Sequence, residues 1–162
     1  SIAKNEDSLE INSKIQDTEK NFFENVEYKG IDLKGNRYII KSKFAEFELD
    51  RPEIINMKIM KATFYFKDGT TLKVDSDQGY YNNKLKDILF RYNVNALYGE
   101  DILLSESLFY SNSEGLITVT EDVKVTNLEN KLFADKVEFD LSTKKLNITM
   151  FKNDQVNIIL NK

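Results

Sequence analysis

The side chains with the most evident chemical potential in this sequence are closely spaced carboxylates. Glu46, Glu48 and Asp50 alternate along one segment, and Asp75 and Asp77 alternate along another. Carboxylates on one strand face are ligands for a hard cation such as Ca²⁺, and a pair that converges in a cleft ~5–10 Å apart can hydrolyse a glycoside. Solvated outer strand faces are the simpler interpretation of both sets.

The residue types that the chain lacks exclude most other chemistry. Its 162 residues include no His, Cys or Trp. Without Cys there is no disulfide, thiolate metal site or thiol nucleophile, and without His there is no Ser-His-Asp triad. We therefore expect no catalytic site, cofactor or metal. The 23 basic and 27 acidic residues, with the lysines scattered, also argue against a nucleic acid partner.

The pattern of apolar residues predicts an all-β domain after a polar N-terminal segment. Residues 1–21 are polar and poor in aromatics, which favours a linker or tail, and residues 22–162 are predicted to form one β-domain. From Phe22 onward apolar and polar residues tend to alternate, which is the period of a β-strand. Asp68-Gly69 is a strong hairpin signal. Further turns are predicted at 34–36, 82–83, 112–115, 127–130 and 142–143.

A repeat of 29 residues underlies this alternation. The segments starting at Val74, Leu103 and Leu132 are spaced by 29 residues, and the aromatics Tyr81, Tyr110 and Phe139 follow at the same step. Each unit predicts two strands around one turn, and a looser copy begins at Ile40. A single unit cannot bury its apolar face, whereas stacked copies build a continuous core with a free edge at each end.

The ordered set of these features resembles the periplasmic domain of the LptC family of lipopolysaccharide export proteins. The resemblance covers roughly residues 26–150 and overlaps the related families LptA and the N-terminal domain of LptD. The features that carry it are Gly35-x-x-Tyr38, Ser42 and Ala45, Pro52-x-Ile54, Ala62 with Asp68-Gly69, Leu72-x-Val74-x-Ser76-x-x-Gly79-x-Tyr81, and the later stretch NKLFADKVEFD.

The resemblance implies a twisted β-jellyroll, built from stacked antiparallel repeats, that is open along one side. It also implies a non-enzymatic conduit in which lipopolysaccharide acyl chains travel inside while the sugars stay in water. Strand alternation places apolar rows on one interior, and the resemblance suggests that these rows contact lipid. The predicted interior residues are Ile40, Phe47, Phe64, Leu72, Val74, Tyr81, Leu103, Tyr110, Val119, Leu132, Phe139 and Ile148.

The two ends of such a stack are the predicted partner edges. The N-terminal edge (Phe22, Val26, Tyr28) would meet an inner-membrane ATP-driven transporter, and the C-terminal edge (Val156, Ile158) would meet an LptA-like protein. Members of the LptC family are usually tethered to the inner membrane by an N-terminal helix. The resemblance therefore implies a periplasmic location, with a tethering helix that would lie before this numbering.

Two alternative functions remain open at this point. The chain could be the soluble bridge subunit of the LptA type, or a structural or adhesive β-repeat protein without a lipid ligand.

The sequence departs from the family pattern at two positions. Relatives often carry Gly just before the Val of a repeat's second strand. Here Asn93 precedes Val94, and Asp122 precedes Val123. A different local twist is expected at these positions.

Overall fold

The computed structural model describes residues 20–150, which form nine antiparallel β-strands. The strands pair in chain order within one open sheet, so each strand's spatial neighbours are its sequence neighbours. This confirms the expected all-β, jellyroll-like class. The strands are β1 (Lys20–Ile31), β2 (Arg37–Glu48), β3 (Arg51–Tyr65), β4 (Thr71–Asn82), β5 (Ile88–Tyr98), β6 (Asp101–Ser111), β7 (Leu116–Thr126), β8 (Lys131–Asp140) and β9 (Leu146–Thr149).

Six of the eight turns between the described strands lie where the sequence predicted them, and side-chain oxygens hold several of these. The turns at 49–50 and 99–100 were not predicted. In the β3–β4 turn Gly69 adopts a φ of 92°, a left-handed conformation that favours glycine. The carboxylate of Asp68 accepts a hydrogen bond of 2.9 Å from the backbone N–H of Thr70. The carboxylate of Asp32 does the same in the β1–β2 turn, where it accepts hydrogen bonds from the backbone N–H groups of Lys34 and Asn36. The short polar residues therefore fix the register of these two hairpins.

Most of the long strands bend near their middle, and the bends line up across the sheet. The register shifts between Asp75 and Gln78 in β4, and again in β5, β6 and β7 at the same height. A shift of this kind is a β-bulge, which kinks the strand and increases its twist. We call this line of bends the seam. Its left-handed residues are Asn25, Ile59, Tyr92, Asn93, Glu121 and Asp122, with φ between 53° and 73°.

The seam folds the single sheet into two layers that face each other. Layer 1 comprises 20–24, 44–48, 51–58, 78–82, 88–91, 107–111, 116–120, 136–140 and β9; layer 2 comprises 26–31, 37–42, 60–65, 71–76, 94–98, 101–105, 123–126 and 131–134. Aromatic rings meet across the gap: the Tyr38 ring of layer 2 lies 6.1 Å from that of Tyr110 in layer 1. The Tyr98 ring likewise lies 5.4 Å from Phe139. The buried core therefore lies between the layers.

Buried serines occupy equivalent positions in three copies of the repeat, and Ala134 occupies that position in the last copy. The hydroxyl of Ser42 donates to the carbonyl of Phe44 at 2.7 Å, that of Ser76 to Gln78 at 2.8 Å, and that of Ser105 to Ser107 at 3.2 Å. Each bond spans the bend, where the ladder is disrupted and a carbonyl would otherwise lack a donor. The serines thus stabilise the seam.

The two positions at which relatives carry glycine keep a left-handed backbone, and the expected difference in twist there stays a prediction. Asn93 and Asp122 adopt φ angles of 53° and 58°, the left-handed region that glycine favours. Asn and Asp tolerate this conformation better than other non-glycine residues because their short polar side chains bond locally. The Asn93 amide donates to the Asp77 carboxylate at 2.6 Å across the seam. The bulge is therefore present without glycine.

The most strained seam residue offers a stability test. Ile59 has a φ of 60° and a half-exposed side chain, and a β-branched residue is a genuine outlier there. We expect Ile59→Asn to raise the free energy of unfolding by about 0.5–1 kcal/mol, because Asn reduces a left-handed strain of roughly 1–2 kcal/mol. The matched change Ile39→Asn, on an outward position without positive φ, should instead lower it. Urea denaturation of both variants tests the difference in sign.

Candidate functional site

The residues predicted to form the interior lie together between the two layers. Eight of them are buried and four are partly buried. The buried ones are Ile40, Phe64, Leu72, Val74, Tyr81, Tyr110, Val119 and Phe139; the partly buried ones are Phe47, Leu103, Leu132 and Ile148. Strand alternation brings them together because positions two residues apart share a face. Their contact with lipid stays a prediction.

Tyrosines fill the half of the interior near the N-terminal strands. The rings of Tyr28 and Tyr81 lie 5.0 Å apart, and the hydroxyls of Tyr38 and Tyr81 are 3.2 Å apart. The Tyr110 hydroxyl donates to Asn112 at 2.8 Å. Burial raises the pKa of Tyr28 to about 12 and also raises the pKa values of Tyr38, Tyr81 and Tyr110. The phenols therefore stay neutral, and this tyrosine cluster plugs one half of the core.

The other half of the interior contains an apolar cavity. Its volume is about 50 Å³, and its lining includes Leu72, Ala96, Leu103, Leu108, Val119 and Val137. This is space for little more than one or two water molecules, and the lining is apolar apart from Asp101. Three aromatic rings, of Phe66, Tyr98 and Phe139, contact each other in the same half. An acyl chain therefore fits only if the two layers move apart.

The turns at the free ends of the two layers meet along a side that we call the mouth. Lys144, in the turn before β9, donates to the carboxylate of Asp68, in the turn between β3 and β4. Its ammonium also lies 3.4 Å from the Thr70 hydroxyl and 4.6 Å from the centroid of the Phe66 ring. We call this contact of Lys144 with Asp68 the latch, because it joins the layers above the aromatic rings.

The latch gives the fold a pH dependence with a definite sign. The hydrogen bond from Lys144 holds the pKa of the Asp68 carboxyl well below its ordinary value of 3.8. A lowered native pKa contributes stability above the unfolded pKa, and that stability is lost as the pH falls through the native pKa. We expect the stability difference between wild type and Asp68→Asn to be constant above pH ~5 and to shrink below pH ~4. Thermal unfolding at a series of pH values measures it; a difference that grows in acid would contradict the assignment.

The predicted N-terminal partner edge is β1, one of the two outer strands of the described sheet. Within residues 20–150, β1 and β9 each pair with one neighbour, β2 and β8. The Val26 and Tyr28 side chains are buried in the core and Phe22 is half-buried, so an edge contact would use mainly their backbone groups. Val156 and Ile158 lie outside the described residues.

The carboxylate sets on the strands show no ligand-like convergence. In the part of the chain that the structure describes, no group of three or more acidic side chains is placed to hold a metal ion. Glu48, Asp50, Asp75 and Asp77 are exposed and Glu46 is half-exposed. Within residues 20–150 we also find no helical segment with the length and hydropathy of a membrane span.

A family model matches the chain over residues 2–150, which includes both layers, the seam and the cavity. Its description is lipopolysaccharide-assembly, LptC-related. The chain belongs to the LptC family. This is a family of lipopolysaccharide transport components rather than enzymes, and it faces the periplasm. No curated protein matches the chain significantly.

Sequence reasoning missed the latch and the division of the LptC-like interior into a plugged half and a half with a cavity. Asp68 and Lys144 are 76 residues apart, and neither type is unusual in a turn. The tyrosines of the plug were identified as interior residues, but their mutual hydrogen bonds depend on how the layers are offset. The 29-residue spacing of the bends, from Asn93 to Asp122, was the one available signal for the seam.

Proposed function

We propose that this chain is a conduit that carries the acyl chains of lipopolysaccharide between its two layers while the sugars remain in water. The observation that best supports this proposal is the apolar cavity beneath the latch. The interior that contains this cavity is closed on one side by the seam and bridged on the other side by turns. Moving an acyl chain through water costs about 0.8 kcal/mol per methylene group. A continuous apolar interior removes most of that barrier.

The closed interior implies that loading requires separation of the layers. The tyrosine cluster holds the N-terminal half together through buried rings and hydroxyl contacts. At the other half the layers meet through apolar side chains around the cavity and through the latch at the surface. Exposed ion pairs contribute little stability, so the half with the cavity is the part that opens at the lower energy.

The open edges of the sheet fit a position between two partners. We propose that β1 meets the inner-membrane ATP-driven transporter and that the C-terminal edge meets an LptA-like bridge protein. An unpaired strand offers a row of backbone donors and acceptors to which another chain can add a strand. This arrangement places the domain in the periplasm, and a tether to the inner membrane would keep it beside the transporter.

Site-specific photocrosslinking tests the conduit. A photoreactive residue at Leu103, which lines the cavity, should form an adduct with added lipopolysaccharide, whereas one at Lys58, on the outward face of layer 1 in β3, should not. A probe at Tyr81 reports whether the tyrosine cluster also opens. Circular dichroism confirms that each variant is folded. Absence of adducts at both inward positions in folded protein would leave the interior as ordinary core and overturn the proposal.

A further inference from the structure

The outward face of layer 2 carries a charge opposite to that of the whole chain. The residues of this face alternate with the buried core residues of the same strands. Seven of them are basic and two are acidic, whereas the complete chain has a net charge of −4. The basic residues are Lys29, Arg37, Lys41, Lys61, Lys73, Lys124 and Lys131; the acidic ones are Glu27 and Asp75.

The strand register arranges all of these charged side chains except Arg37 in two rows across eight strands. One row contains Glu27, Lys41, Lys61, Asp75, Asn95, Leu104, Lys124 and Phe133; the other contains Lys29, Ile39, Thr63, Lys73, Leu97, Ile102, Thr126 and Lys131. With strands ~4.8 Å apart, the rows extend over roughly 35 Å. A small anion would occupy only one point of such a surface, so its partner is itself an extended negative surface.

Large apolar side chains are exposed among these lysines. Leu97, Ile102 and Leu104 are 38–41% exposed, and Phe133 is 64% exposed. The Lys124 ammonium lies 5.9 Å from the centroid of the Phe133 ring. Apolar and basic residues on one face are typical of proteins that lie in the interface of an anionic membrane. Lysine stems lie along the apolar region while their ammonium groups reach the phosphates.

A groove at the β1–β3 end of this face concentrates the positive charge. It has a volume of about 380 Å³, and its lining includes Lys41, Lys43, Lys61 and Glu27. Among residues 20–150 none of these three lysines forms an ion pair within 4 Å, whereas Glu27 pairs with Lys29 at 3.6 Å. The strained Ile59 forms part of the wall. The groove therefore presents three lysines and one carboxylate, and its net positive charge suits a phosphate group.

We propose that the outward face of layer 2 binds the surface of an anionic lipid bilayer, with a phosphate headgroup in the groove of Lys41, Lys43 and Lys61. The apolar side chains of β5–β8 then enter the boundary between headgroups and acyl chains. The interior lies on the opposite side of the same layer, so this contact does not depend on lipid transport through the core. It orients the conduit relative to a membrane.

Vesicle sedimentation of the full chain tests the charge contribution. We expect binding to vesicles of phosphatidylcholine with phosphatidylglycerol, little binding to phosphatidylcholine alone, and weakening at high salt. The triple variant Lys41→Gln, Lys43→Gln, Lys61→Gln should bind at least ~10-fold more weakly, since each lysine near an anionic surface contributes about fivefold. The control Lys20→Gln, Lys58→Gln, Lys136→Gln removes the same charge from the outward face of layer 1 and should retain binding.

An inserted tryptophan tests the apolar contribution, since the chain contains no Trp. Phe133→Trp should shift its emission to shorter wavelength on anionic vesicles, because the indole enters an apolar region. Leu49→Trp, at a position that is 59% exposed in the turn between β2 and β3 and outside layer 2, should not shift. Both substitutions are at exposed positions, and circular dichroism checks that both variants fold.

Three results would overturn the proposal. One is the absence of wild-type binding to anionic vesicles at low salt. Another is an equal loss of binding in the two triple variants, which would show that only net charge matters. The third is binding to polyglutamate that anionic vesicles do not displace, which would identify the partner as an acidic protein. If photocrosslinking of lipopolysaccharide at Leu103 persists in the triple variant, the interior and this face act separately.

Discussion

Replacing Gly79 with alanine should lower the free energy of unfolding by about 2–3 kcal/mol, the upper part of the range for overpacking a core. Gly79 lies in β4 opposite Phe90, and a Cβ at this position would collide with the backbone carbonyl oxygen of Leu89 in β5. It would also lie 2.5 Å from the sulfur of Met60. The methionine side chain can move aside. The carbonyl cannot, because it is held in the hydrogen-bond ladder between β4 and β5. The two strands must therefore separate locally, at the height where Tyr81 enters the core.

A matched glycine separates the steric effect from the backbone effect. Gly99 has a φ of 64°, and a Cβ there would meet nothing within 4 Å. Gly99→Ala should therefore cost only about 1 kcal/mol, from the left-handed backbone. Equilibrium denaturation in urea gives both values under one set of conditions. Equal losses for the two variants, or a loss below 1 kcal/mol at Gly79, would show that β4 and β5 accommodate the extra carbon.

Locking the latch covalently should abolish loading of lipid into the interior. The cavity of about 50 Å³ is too small for an acyl chain, so the layers must separate for one to enter. The double variant Asp68→Cys, Lys144→Cys places two thiols on either side of the mouth of a chain that contains no other cysteine. After reaction with a short bis-maleimide, we expect the yield of the lipopolysaccharide adduct from a photoreactive residue at Leu103 to fall by at least ~10-fold. A decrease of this size corresponds to the loss of contact with about two methylene groups.

Single-cysteine variants capped with a monofunctional maleimide are the controls for this experiment. They carry the same chemical groups at Asp68 or Lys144 but leave the layers free to part, so their adduct at Leu103 should equal that of wild type. Undiminished loading of the locked protein would show that acyl chains enter from the ends of the sheet and that the mouth does not open.

The strands and six of the eight described turns were predictable because they depend on interactions that are local in sequence. Alternation along β4 placed Leu72, Val74 and Ser76 on the interior face, and all three are buried. Asp68-Gly69 predicted its hairpin since both residues favour the left-handed and turn conformations that the connection needs. The repeat of 29 residues predicted hairpins that stack, and a sheet paired in chain order is the result.

The role of the serines in the repeat was beyond this reasoning. Alternation places Ser76 and Ser105 on the interior face but does not identify the groups that their hydroxyls contact. In the structure these hydroxyls donate to the carbonyls two residues further on, across the seam. The reason is that a bulge disrupts the pairing between strands, and the side chains that replace the lost hydrogen bonds are identified only once the register is known.

The sequence by itself determined the strands, their order and the set of interior residues, because period-two alternation and turn chemistry act within a few residues. Tertiary structure decided how much of the interior is filled by side chains, because this depends on how layer 1 is positioned relative to layer 2. It also decided the latch, which joins residues 76 positions apart. Lysines that are scattered along the chain, such as Lys41, Lys61 and Lys73, lie on one face because consecutive antiparallel strands place residues of the same parity side by side.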